Sequence, residues 1–185
     1  WNDDVKGFGE IMKRGGFDCV IGNPPYGAFF AEVEKNYIKQ NFKAYKYRFD
    51  SYIYFIEKAI SLTKIGGWVS FITPELWLKL ENCAPLRELI SNNTGFEKLR
   101  IFGEKVFSKA VVNTVVFLFH RGIDVQSLKI ETERDSWELP SASWKVSKLL
   151  AIDYRLKMGI NDLIDKIRIE SVPLSNFGDI IQGIT

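Results

Sequence analysis

Histidine occurs once in these 185 residues and cysteine twice. Cys19 and Cys83 have no CxxC or other metal-type spacing, so together with His120 they exclude an ordinary zinc site and read as reduced thiols. No apolar run approaches the roughly 20 residues of a membrane span, and no basic stretch precedes a short hydrophobic one as in a signal peptide. No membrane partner is expected, and the chain reads as cytoplasmic. Net charge is only +2, so there is no global basic field, and contact with nucleic acid must come from a local patch. Also missing are a Ser/His/Asp set, a nucleophile elbow, a P-loop and paired carboxylates at strand ends, which removes the common routes to hydrolysis and phosphoryl transfer.

What is there is an ordinary globular mixture, 46% apolar and 26% charged, enough for one domain or for one and a piece. Phe8 to Arg14 predicts a short helix closed by Gly15-Gly16, and Phe17 to Gly22 a strand apolar enough to be covered on both faces. Helical spacing follows over Glu32 to Ala44 and over Ser51 to Lys64, the second with Ile53, Ile56 and Ile60 on one face and an end at Gly66-Gly67. Trp68 to Thr73 predicts a strand stopped by Pro74, Ala84 to Asn93 a helix, Lys98 to Phe102 a strand, and Asn113 to His120 the most β-like run of all. This alternation predicts an α/β sheet with crossover connections. Beyond Arg121 the pattern weakens, with an exposed strand expected over Ser127 to Thr132 and a helix over Asp153 to Arg168.

The first strand runs into Asn23-Pro24-Pro25-Tyr26. Two consecutive prolines cannot donate to a ladder, and each fixes its own φ while holding the residue before it extended, so the turn is stiff. In open α/β sheets ligands lie outside the carboxyl ends of the strands, which is where this turn falls, beside Thr73-Pro74-Glu75 after the second strand. Thr73, Pro74 and Glu75 are expected to shape a pocket wall. A carboxamide oxygen accepts hydrogen bonds and a tyrosine offers a flat face, so the turn suits a planar, amino-bearing group. A second pattern follows the turn. Lys35, Lys39 and Lys43 recur every four residues, Lys46 and Arg48 lie just beyond, and Tyr37, Phe42, Tyr45 and Tyr47 are interleaved. Such a stripe is either a solvated helix face or a surface for phosphates.

FDCVIGNPPYG resembles motif IV of the S-adenosylmethionine-dependent amino-methyltransferases, and DSYIYFIEKAISLTKIGGWVSFITPELWL resembles their next helix, KxGG turn and strand. LRELISNNTGFEKLRIFGEKVFSKAVVNTVVFLF narrows the resemblance to the adenine-N6 DNA methyltransferases of the gamma motif order, typified by the TaqI enzyme and the type IIG restriction-modification proteins. The resemblance covers roughly residues 8 to 120. It implies that Asn23, through its side-chain oxygen, and the carbonyl of Pro24 accept hydrogen bonds from the amine of a flipped adenine in double-stranded DNA. Pro25 completes the turn. Tyr26 matches the residue that stacks on the base, and Phe107 the aromatic residue of motif VIII that covers its other face. Other amino-methyltransferases, acting on protein glutamine or on RNA, share NPPY, and a non-catalytic DNA-binding module is a third reading of the same residues.

The resemblance also implies S-adenosylmethionine as cofactor, yet the family's glycine-bearing cofactor turn and the acidic residue after it precede motif IV, and only sixteen residues precede Phe17. Gly7-Phe8-Gly9 has no strand before it and does not qualify. The expected fold is therefore the C-terminal half of a Rossmann-like methyltransferase sheet followed by a linker. Expected regions are a partial catalytic domain over 1–122, a connecting region over 123–170 and the start of a target-recognition domain over 171–185, where SVPLSNFGDIIQGIT resembles the phrase that opens that domain. The chain starts without Met and stops after an apolar stretch, so it is expected to be a piece of a longer protein, inactive alone and able to pair with a second copy through the strand 17–22.

Overall fold

The computed structural model describes residues 7–27, 29–47, 50–102, 113–145, 149–154, 171–172 and 176–178. Two compact units divide the chain, one ending at Asp153 and the other beginning at Tyr154. In the first unit the described elements run α1 (Gly9–Lys13), β1 (Phe17–Gly22), α2 (Glu32–Asn41), α3 (Ser51–Leu62), β2 (Thr63–Pro74), α4 (Ala84–Asn93), β3 (Thr94–Phe102), β4 (Thr114–Arg121), β5 (Ser127–Glu131), β6 (Ser136–Pro140) and α5 (Ser141–Lys145). Two 3-10 turns, Glu75–Leu78 and Glu81–Cys83, join β2 to α4.

The strands form one sheet in the order β1-β2-β4-β3-β5-β6. β1 runs parallel to β2, and β3 to β5, while β4 is antiparallel to both of its neighbours. Alternate residues of the middle strands face the core: Val69, Leu99, Val115, Phe117 and Phe119 are wholly buried. Trp77 stands among Phe96, Phe117 and Phe119, with centroid separations of 5.6–6.1 Å. Against this layer α3 buries Ile53, Ile56, Ala59 and Ile60, and α4 buries Leu86 and Ile90. Both helices pass straight into strands. Their last turns are closed by threonines donating back four residues, Thr63 to Ala59 O and Thr94 to Ile90 O, both at 2.8 Å. Glycines were expected to end them, and these threonine bonds explain why α3 stops at Leu62 rather than Lys64.

Gly66-Gly67 has another role. Phe17 pairs with Thr63 but Cys19 pairs with Trp68, so residues 64–67 bulge out of β2. Gly66 sits at φ +78, a left-handed conformation that suits glycine.

Several expectations change. β1 is the terminal strand of the sheet, and Asp18, Cys19 and Ile21 are exposed, so it is not covered on both faces as its composition suggested. α2 ends at Asn41, short of Ala44, because Phe42 turns to extended geometry. The strand expected over Ser127 to Thr132 is not an exposed one: Leu128 and Ile130 are wholly buried. β6 and α5 were not foreseen. The sheet does not stop at residue 122, where a division was expected, since β5 and β6 extend it. Most of the helix expected over Asp153 to Arg168 lies outside the described residues, as does most of the tail from Ser171.

Candidate functional site

Because β1 and β2 are parallel, Asn23-Pro24-Pro25-Tyr26 and Thr73-Pro74-Glu75 leave the sheet at the same end. Gly22 opposes Phe71, whose ring lies so close that a Cβ on Gly22 would sit 2.9 Å from it, so only glycine lets the strand enter the turn along this path. Pro24 is buried, Asn23 and Pro25 are exposed, and Tyr26 is half-buried. Two bonds hold the turn. Tyr26 Oη donates to Ile72 O at 3.0 Å, and Ser51 Oγ at the start of α3 donates to Pro25 O at 2.5 Å. The Tyr26 ring also meets Tyr52 edge to face, with centroids 6.3 Å apart. Burial pushes the Tyr26 phenol above its ordinary range. With its hydroxyl committed to a carbonyl and its ionisation disfavoured, Tyr26 offers a ring face rather than acid–base chemistry.

Behind the turn, Thr73 is wholly buried and its Oγ1 accepts from Trp77 Nε1 at 3.0 Å, so its hydroxyl serves the core. Glu75 is half-buried and joined twice to the residue just before β4: its N–H donates to Asn113 O at 3.0 Å, and Asn113 Nδ2 donates to its Oε1 at 3.1 Å. This end of the sheet presents a carboxamide, carbonyls and rings, with the Glu75 carboxylate already hydrogen-bonded. This arrangement can accept hydrogen bonds from a planar amine.

The lysine stripe is only partly a stripe. Lys35 and Lys39 share a face of α2, and Lys35 pairs with Glu32 at 2.7 Å, holding that carboxyl below its ordinary range. Lys43 lies past the helix end, where it lines a different hollow with Glu57, Glu88 and Arg121. Lys46 is turned to Glu81 at 3.6 Å. Arg48 and Phe107 lie outside the described residues. The interleaved aromatics pack on protein: Phe42 meets Tyr54 at 5.1 Å and Tyr37 at 6.4 Å, and Tyr45 meets Tyr47 at 6.1 Å.

Sequence reasoning missed a groove of about 540 Å3 between α2 and α3, lined by Phe30, Tyr37, Ile38, Phe42, Tyr54 and Phe55 and reaching Ser51. Its signal was present in the aromatic residues on the face of α3 opposite Ile53, Ile56 and Ile60. Also missed was Glu57, whose carboxylate accepts the N–H groups of Lys43 at 3.0 Å and Ala44 at 2.8 Å and so fixes the chain that follows α2.

With the NPPY turn placed at the sheet end, the comparison with known families is decisive: residues 2–107 match the Eco57I restriction-modification methylase family. The chain belongs to that family. Among the relatives of this methylase-family chain is the type II methyltransferase M.HincII of Haemophilus influenzae, 35% identical over 120 residues, which cover 62% of this chain and 24% of that protein. Another is the type II restriction enzyme and methyltransferase RM.Eco57I of Escherichia coli, 30% identical over 173 residues, covering 86% of this chain and 17% of that protein. The chain therefore spans about a quarter or less of the length of these relatives. Its fold is that of the restriction-modification methyltransferases. The methyltransferase subunit of a type I system from Streptococcus thermophilus superposes with a TM-score of 0.55 at 13% identity, over 91% of this chain and 34% of that one. The type IIG restriction endonuclease BpuSI gives 0.53 at 21% identity, over 65% and 15%.

Proposed function

We propose that this chain is the base-binding part of a DNA methyltransferase that modifies the N6 amine of adenine within a restriction-modification system. The observation that carries this is the rigid Asn23–Tyr26 turn, tied to β2 through Ile72 O and to α3 through Ser51 at the carboxyl ends of two parallel strands. Asn23 Oδ1 and the Pro24 carbonyl accept hydrogen bonds from the exocyclic amine, which draws the nitrogen lone pair out of ring conjugation. Catalysis is then mainly positioning, and no low-pKa base is needed. The base must be flipped out of the duplex, at a cost of a few kcal/mol, and stacking on Tyr26 and Phe107 at ~1–3 kcal/mol per base offsets much of it. Lys35 and Lys39 face solvent on α2 and can meet phosphates, with Lys43, Lys46 and Arg48 as further contacts. Lys35 and Lys46 must first give up Glu32 and Glu81, with which they are paired.

When bound, S-adenosylmethionine supplies an electrophilic methyl group. The residues described here fit only the acceptor side of that reaction: the strand ends of β1 and β2 present acceptors and rings, and the Glu75 carboxylate beside them is engaged by Asn113. The 185-residue chain alone is accordingly inactive and binds the cofactor weakly; calorimetric titration giving a micromolar affinity would count against this. The region from Ser171 begins a target-recognition domain, so sequence preference for DNA appears only in a longer protein. The deciding experiment gives labelled cofactor to the full-length parent with DNA, RNA and protein substrates. Transfer to adenine in DNA, lost in Asn23→Ala, supports the reading; transfer to glutamine or RNA, or none at all, refutes it.

A further inference from the structure

We propose that Arg87 is a positioning residue that welds the segment following β2 to the segment by which the chain leaves its first compact unit. The guanidinium is wholly buried, yet among the described residues its bonds run only to backbone carbonyls. Nη1 donates to Trp77 O at 2.6 Å and Leu80 O at 2.8 Å, while Nε and Nη2 donate to Leu149 O at 3.0 and 2.8 Å. Burial lowers its pKa, the mark of a charge held without water. Apolar residues would fill this space at less cost, whereas the planar fork fixes three carbonyls in one geometry.

The two welded segments have further ties. Ile152 is wholly buried and its N–H donates to Leu78 O at 2.9 Å; Leu150 takes a left-handed φ of +50; and Lys79 pairs with Asp153 at 2.8 Å. In the other direction, Trp77 is bonded to Thr73, the residue after Ile72, whose carbonyl receives the Tyr26 hydroxyl. An unbroken run of specific contacts therefore links the NPPY turn to Asp153, the last residue of the unit. Each link is short, and those at Thr73, Trp77 and Arg87 are buried, so displacement at one end is passed on rather than absorbed. The consequence for methyl transfer rests on the function proposed above: the strand end that holds the target base is fixed relative to residues 149–153, where the first unit ends.

Hydrogen–deuterium exchange on the 185-residue chain tests the weld without any catalysis. In Asp153→Asn and in Arg87→Lys, amides of 75–80 and 149–153 should both exchange faster, by roughly fivefold or more, while those of 114–121 stay unchanged. If 149–153 accelerates and 75–80 does not, the strap is peripheral and the proposal fails. Should Arg87→Lys not fold, Asp153→Asn and its rescue by the swapped pair Lys79→Asp with Asp153→Lys decide. In the full-length parent, Asp153→Asn should lower kcat by roughly threefold to tenfold with the KM for DNA within about twofold. An unchanged kcat despite coupled exchange overturns the positioning role. A wild-type parent that methylates no DNA refutes the proposed function, while the exchange result still decides the weld.

Discussion

FDCVIG in β1 and TVVFLFHR in β4 are both runs that composition alone would bury, yet only one of them is buried. β4 lies between β2 and β3, and Val115, Phe117 and Phe119 on its inner face have no exposure. β1 has β2 on one side only, and Ile21 is 77% exposed. Apolar content states how much surface a strand can hide; place in the sheet decides how much it does hide. The poorly covered strand is also the one that delivers Asn23 and Tyr26 to the sheet end, so the proposed chemistry hangs on the less protected of the two.

Substitutions in the two strands should separate these roles. Phe117→Ala, in a ring cluster with Trp77 and Phe119, should lose about 3–5 kcal/mol of stability by denaturant unfolding. A loss under about 1 kcal/mol would mean that β4 is not the core strand it looks like. Asn23→Ala, at an exposed position, should leave stability unchanged but reduce methyl transfer by the full-length parent about a hundredfold if the proposed function holds, since that reading sets the geometry of the amine there. Tyr26→Phe keeps the ring and removes the bond to Ile72 O, for a cost of about 0.5–1.5 kcal/mol in stability and a modest fall in rate. A complete loss of activity would instead give the hydroxyl a direct role. Smallest in stability is Ile21→Lys, within about 0.5 kcal/mol of wild type. On gel filtration, however, the wild-type chain should associate with rising concentration by pairing β1 with a second copy, and this charge should keep it monomeric. A wild-type chain that stays monomeric at high concentration would mean that the edge is protected.

Legibility in the sequence followed local pattern. The strand–helix alternation from Phe17 to Arg121 was readable because periodicity and the Pro and Gly punctuation agree there. The NPPY turn was readable because proline geometry is local. What was not readable depends on partners distant in the chain. β6 is a short strand whose inward-facing residues, Trp137 and Leu139, gain their meaning only opposite Ile130 and Leu128. The carbonyl cluster around Arg87 joins residues that no spacing rule connects, and the α3 side of the groove showed in the spacing while its α2 partner did not. The lysine repeat misled in part because a period of four has meaning only while a helix lasts, and α2 ends before Lys43.

The bulge at 64–67 lets the chain change length without changing fold. Deleting a residue from Val69 to Thr73 would turn every later side chain of β2 to the opposite face and move Phe71 and Thr73 out of the core. Adding one beside Ile65, which is 67% exposed, is expected to leave Cys19 opposite Trp68 and the NPPY turn where it is, as long as Gly66 keeps its left-handed conformation. Insertions there, at the end of the sheet remote from the proposed base-binding turn, are expected to cost less than insertions in Val69 to Thr73, and relatives are expected to differ in length at this point while keeping the register on either side of it.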